Sequence, residues 1–227
     1  MKEVIEKINH NIRHWAKKAN RDPETIRLVA VSKTVSAQRV EEAIIAGATL
    51  FGENYIQEAK IKYDTLSSYD VKWHFIGHLQ TNKAKHATAI FDLIHCVDSL
   101  KLAKALNKEA GKINKIQNIL VQVNISKEDS KSGVSEEKTI DLIKNISKLT
   151  NLSVNGLMTM PPFFDNPEKA RPYFKALKEL GDFIKKQAIP NVYMNELSMG
   201  MSGDFQVAIE EGATMVRIGT AIFGARY

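Results

Sequence analysis

The chain has no run of about 18 consecutive apolar residues, the length a helix needs to cross a bilayer, so no segment is expected to span a membrane. It has one cysteine, Cys96, which excludes an internal disulfide and leaves no C-x-x-C or zinc-ligand spacing. No G-x-G-x-x-G follows the first strand-like stretch, which counts against an open, doubly wound dinucleotide-binding sheet. Lys and Arg number 32 against 26 Asp and Glu, a formal charge of +6, but the basic residues are spread along the chain. Lys101, Lys104, Lys108 and Lys112 recur at helical spacing, as on a solvated helix face, and no interleaved aromatics or nucleic-acid motif accompany them. Nucleic acid is therefore not an expected partner, and an anionic small molecule fits the charge better.

What is present suffices for one buried core: 227 residues, 44% hydrophobic and 26% charged, read as a single domain over 1–227. At the N-terminus, Val4, Ile5, Ile8, Ile12 and Trp15 keep helical spacing among charges, unlike the continuous apolar block of a signal peptide. That pattern reads as an amphipathic docking helix of a cytoplasmic protein.

From there the chain alternates. Strands are expected at 28–33, 49–51, 73–76, 91–97, 117–125, 152–158, 192–197 and 214–218. Helical runs follow them, among them 36–46 ending at Gly47, one beginning at Tyr55, one capped by Asp98 or Ser99, 135–149, 167–187 and 202–211, before a short closing turn. Eight short apolar strands alternating with eight helical runs fit an α/β fold, a (β/α)8 TIM barrel with an extra N-terminal helix. An open parallel sheet is the alternative.

In such a fold chemistry gathers at the carboxyl ends of the strands. Lys33 stands at the end of the first, with Val29 and Val31 at its strand parity as an apolar floor; those residues alone favour a surface lysine at a strand end, and other stretches must decide. The loops after strands 7 and 8 read Ser198-Met199-Gly200-Met201-Ser202-Gly203-Asp204 and Gly219-Thr220, rich in the glycines, hydroxyls and helix starts that hold phosphate. Arg217 lies inside the eighth strand, where a charge needs a partner: an ion pair with Glu196 or Glu53, or a ligand at the barrel mouth. A lysine, a phosphate cradle and an arginine around one mouth point to a phosphorylated aldehyde held as a Schiff base, pyridoxal 5'-phosphate (PLP). His74 and His78 flank Gly77 without a carboxylate ligand pattern and read as pocket or core residues, not as a metal site.

Seven stretches in order, Val31–Thr34, Phe51–Asn54, His74–Lys83, Lys131–Gly133, Gly156–Met158, Leu197–Ser202 and Val216–Gly224, resemble the pyridoxal phosphate homeostasis proteins, single-domain barrels similar to the N-terminal domain of alanine racemase. The resemblance implies that Lys33 holds PLP as a Schiff base. Ser198, Ser202, Gly219 and Thr220 would bind its phosphate, Arg217 would face the pyridine nitrogen, and Asn54 would lie near the ring oxygen. His78 and Met158 would belong to the pocket wall. Asp204 is expected to support a helix start.

It also implies a carrier. An arginine can only donate a hydrogen bond, so it keeps the ring nitrogen unprotonated and weakens the ring as an electron sink. Alanine racemases make the same choice but add a second domain and a tyrosine from a partner subunit, whereas this sequence ends at Tyr227, just past the eighth strand. The expectation is therefore a cytoplasmic monomer that buffers PLP and supplies apo PLP-dependent enzymes without substantial catalysis, binding neither nucleic acid nor membrane. The alternative is a barrel-type PLP-dependent amino-acid racemase or decarboxylase. The polar loop 127–133, centred on Lys131, is a further candidate, for handing the cofactor over.

Overall fold

The computed structural model describes residues 1–128 and 132–224. Eight parallel strands, β1 (Arg27–Val31), β2 (Leu50–Glu53), β3 (Lys72–Phe75), β4 (Leu93–Val97), β5 (Gln117–Asn124), β6 (Leu152–Met158), β7 (Val192–Ser198) and β8 (Met215–Ile218), pair in the order β4-β3-β2-β1-β8-β7-β6-β5. β5 pairs back to β4, from Leu93 opposite Asn118 to Val97 opposite Val121, and closes the sheet. The fold is a (β/α)8 barrel. All residues of β2, β4 and β8 are buried, as parallel strands covered on both faces must be.

The outer ring comprises α2 (Ala37–Ile45), α3 (Ile56–Thr65), α4 (Ala84–Ile90), α5 (Leu100–Lys112), α6 (Glu136–Ile146), α7 (Arg171–Lys186), α8 (Phe205–Glu210) and α9 (Thr220–Phe223). Local chemistry starts and stops them. Ser36 and Ser99 accept from the backbone N–H groups of Arg39 and Leu102, at 3.4 and 3.3 Å. Gly47, at φ +97, supplies the left-handed residue that ends α2. The first helix, Lys2–Lys18, buries Ile5, Ile8, Ile12 and Ala16 and packs mainly against α8; Val4, expected on its apolar face, is exposed.

Among the boundaries that differ from the sequence reading, three have a clear local reason. Strand β1 stops at Val31, because residues 32–35 turn and Thr34 takes φ +62. The run 167–187 divides into a 3-10 turn, Pro167–Ala170, capped by the Asn166 side chain, and α7. Helix α8 begins at Phe205 instead of Ser202, since the Asp204 carboxylate takes the Met201 N–H and holds 201–204 as a loop. A two-residue strand, Val134–Ser135, pairs beside β5 and was not expected. No helix among the described residues is long and apolar enough to cross a membrane.

Two glycines are fixed by close approach. A Cβ on Gly156 would sit 1.8 Å from the Glu196 carbonyl oxygen, where β6 slips its register against β7. One on Gly77 would sit 2.4 Å from the Asn54 carbonyl oxygen, so Gly77 lets the loop after β3 press against the backbone that carries Asn54.

Candidate functional site

At the carboxyl ends of β1, β2, β7 and β8 lies a cavity of about 280 Å³. Lys33, Asn54, Ser202, Arg217, Gly219 and Thr220, six of the nine residues singled out from the sequence, line it. Val31, Ile76 and Met160 make it apolar, and the proline-braced loop after β6 contributes Phe163, 83% exposed, and Phe164, stacked on Tyr173.

The turn that carries Lys33 is held from behind by side chains to which sequence reasoning gave no role there. Lys62, on α3, reaches inward to donate to the Ser32 carbonyl oxygen (2.6 Å) and to Glu53 Oε1 (2.7 Å). The Ser32 hydroxyl donates to the same carboxylate oxygen at 2.5 Å, and Thr34 N–H donates to Glu58 at 2.8 Å. Lys62 and Glu53 are both buried, and burial raises the Glu53 carboxyl above its usual range despite the opposing pull of Lys62. The positive φ of the β-branched Thr34 is the kind of strained backbone that surroundings must over-determine, and these bonds do so. A lysine at a helix position facing the barrel was the available signal.

Arg217 is buried, yet it has neither ion pair considered for it. Glu196 pairs with Arg27 at 2.5 Å and accepts from Thr214, while Glu53 serves Lys62 and Ser32. The guanidinium instead donates to two neutral acceptors, Ser198 Oγ at 2.6 Å and the Thr159 carbonyl oxygen at 2.9 Å. Burial draws it down to about 10, with Asp204 acting weakly against that. It therefore keeps its charge at neutral pH, with donors unspent at the edge of the cavity.

Three expected residues stand elsewhere. Ser198 does not line the cavity: it is fully buried, and its hydroxyl is engaged by Arg217 and His95. Met158 is fully buried in the core at the end of β6. His78 is exposed and lines a separate, open depression with Gln80, Asp98 and Lys101. Asp204 does border the cavity, its carboxyl raised by burial, and its bond to Met201 closes the loop instead of capping α8. Since α8 and α9 are short, hydroxyls dominate this rim, with Thr220 Oγ1 and Ser202 Oγ 3.3 Å apart. Lys131, the centre of the suggested handover loop, and Tyr227 lie outside the described residues. Among the described residues no cluster of His, Cys, Asp or Glu is suited to a metal ion.

One feature of the cavity bears on what it holds. Asn54 lines it, and its side-chain oxygen is buried without a hydrogen-bond partner. With a lysine, a buried cation and a hydroxyl rim around about 280 Å³, the donor set suits a small aromatic phosphate bearing a ring hydroxyl and an aldehyde.

The model of the alanine racemase N-terminal domain matches residues 5–227. A pyridoxal phosphate homeostasis protein of Aquifex aeolicus is 43% identical over 224 residues, covering 99% of this chain and 97% of the relative. The chain belongs to the pyridoxal phosphate homeostasis protein family. Among solved structures, an unknown protein from Bifidobacterium adolescentis superimposes with a TM-score of 0.93 at 32% identity, covering 98% of this chain and 94% of that one. PipY of Synechococcus elongatus, solved with PLP bound, gives 0.82 at 34% identity, covering 94% of this chain and all of that one.

Proposed function

We propose that this chain binds PLP as a Schiff base on Lys33 and serves intracellular PLP homeostasis, as a carrier and buffer without substantial catalysis of its own. The observation that carries the reading is the buried Arg217 guanidinium, satisfied only by neutral acceptors and bordering the cavity that also presents Lys33. Asn54, with its unpartnered side-chain oxygen, would stand near the ring oxygen, and Ser202, Thr220 and the Gly219 backbone would take the phosphate. The names of the relatives and the PLP-bound PipY support the same cofactor. When bound, PLP supplies an aldehyde that condenses with amines and a ring that withdraws electrons.

The residues decide which of these properties is used. Arg217 donates and cannot accept, so a ring nitrogen held against it would stay unprotonated and the ring would withdraw electrons poorly. The ionisable side chains lining the cavity, among the described residues, are Lys33, Asp204 and Arg217. Asp204 is tied to the Met201 N–H, so a two-sided pair of proton-transfer groups, which racemisation needs, is missing from that set. What remains is reversible capture of an aldehyde.

Loaded protein mixed with an apo PLP-dependent enzyme tests the reading. The expected result is restored activity of the acceptor, with no turnover of amino acids above that of Lys33→Ala. Turnover well above that control would favour a racemase or decarboxylase instead.

A further inference from the structure

Below the mouth, the barrel interior holds four polar side chains in one line. Arg217 on β8 donates to Ser198 Oγ on β7 at 2.6 Å; Ser198 Oγ lies 2.9 Å from His95 Nδ1 on β4, and His95 Nε2 lies 2.9 Å from His74 Nδ1 on β3. β4 and β7 are not neighbours in the sheet, so the contact between His95 and Ser198 crosses the barrel. All four residues are buried, Ser198 and His95 completely.

We propose that His95 and Ser198 are positioning residues for Arg217, holding its guanidinium where it fixes the protonation of a ring nitrogen bound at the mouth. This rests on the cofactor reading above. Proton bookkeeping gives the line a direction. Arginine has only donors, so Ser198 Oγ accepts from Arg217, and in the proposed arrangement the hydroxyl hydrogen goes to His95 Nδ1. A neutral His95 then carries its proton on Nε2 and donates to His74 Nδ1, and His74 in turn carries its proton on Nε2. Every donor points away from the cavity, and each link has an acceptor.

Burial keeps both rings neutral, which the scheme requires. His74 is drawn down to about 3, with Arg27 adding to the effect, and His95 falls well below the usual histidine range through burial, His74, Arg217 and Arg27. Without His95, Ser198 loses its acceptor and its hydroxyl is free to rotate, so Arg217 loses a fixed point.

The test uses the full-length protein loaded with PLP carrying nitrogen-15 in the ring. In the wild type the ring nitrogen is expected to show the unprotonated shift at pH 7. Nitrogen-15 spectra of labelled histidine are expected to show His74 and His95 as neutral rings protonated on Nε2. His95→Leu is expected to move the ring nitrogen toward the protonated shift and to weaken PLP binding by roughly tenfold, since a guanidinium left unfixed makes a poorer charge-assisted hydrogen bond to the ring. His95→Asn, whose side-chain oxygen can replace Nδ1 as acceptor, should restore most of both. A purely structural role would lower stability without moving the ring nitrogen. If His95→Leu does not fold, Ser198→Ala, which removes a single oxygen, carries the same measurement. Ring shift and affinity unchanged in the folded variant, with PLP still fixed on Lys33 by borohydride, would overturn this proposal alone. No PLP on Lys33 in the wild type would overturn the cofactor reading, and this proposal with it.

Discussion

Polar groups open into the cavity and polar groups surround it, and the two sets are bonded differently. Those behind and beneath it spend most of their hydrogen bonds on one another, Lys62 on Ser32 and Glu53, Ser198 on Arg217 and His95, His95 on His74, with Glu53 Oε2 left over. Those facing it hold bonds in reserve, as Asn54 Oδ1 does without a partner and as Arg217 does with donors beyond its two neutral acceptors. A buried polar atom left unpaired costs about 1–3 kcal/mol, a cost borne at Glu53 Oε2 and Gln117 Oε1 as well as at Asn54, the one of the three residues that lines the cavity. The two sets should therefore respond differently to substitution: loss of a surrounding group lowers stability, and loss of a facing group lowers affinity.

Lys62→Met is the largest expected break. It strands Glu53 in the wall with no cation, and removing one partner of a buried pair costs about 3–5 kcal/mol, which a urea midpoint would record. Replacing Glu53 by Leu in the same variant should recover much of that loss. A single variant as stable as the wild type would show that the pair behind Lys33 holds nothing.

The next effect is a pH dependence. Both buried histidines have folded pKa values below the ordinary one, so the unfolded chain takes up protons first as the pH falls. Stability should decline below about pH 6.5, by roughly 1.4 kcal/mol per pH unit for each histidine, until the folded value is reached. Glu53 runs the other way: its folded value is raised, so its contribution is largest below the ordinary glutamate value of about 4.3 and is lost as the pH rises through the raised one. Urea midpoints between pH 7.5 and 5.5 in a Glu53→Gln background, which removes that opposing titration, isolate the histidines, and a flat profile there would mean that they are not held neutral.

The smallest effect sharpens the contrast most. Asn54→Ala should weaken PLP binding by about fivefold, near 1 kcal/mol, and change stability by less than about 0.5 kcal/mol, because Oδ1 has no protein bond to lose. Ser198→Ala, by comparison, should lower stability by about 1–3 kcal/mol, as it leaves both Arg217 and His95 short of a partner. Calorimetry and PLP titration of the two variants together separate the regions; equal stability losses would erase the distinction.

The architecture was legible because it is written locally. Short apolar runs, their spacing, and Ser36, Gly47 and Ser99 at the right places give alternating elements without reference to anything distant. Lys33 and the loops after β7 and β8 were legible because strand ends in a barrel share one face. What could not be read was contact across the barrel. His95 sits within an apolar run that hides it, and for Ser198 neither the resemblance nor its place after the seventh strand tells whether the hydroxyl turns to the mouth or to the opposite strand. The cost of burying a polar group, applied to Arg217, applies equally to His95, and that signal was available.

The most direct test of the central claim is borohydride reduction of the PLP-loaded protein followed by peptide mass mapping. The account predicts an absorption band of an imine that reduction removes, with the added mass confined to the peptide containing Lys33. Label spread over the exposed lysines, or none at all, would contradict it.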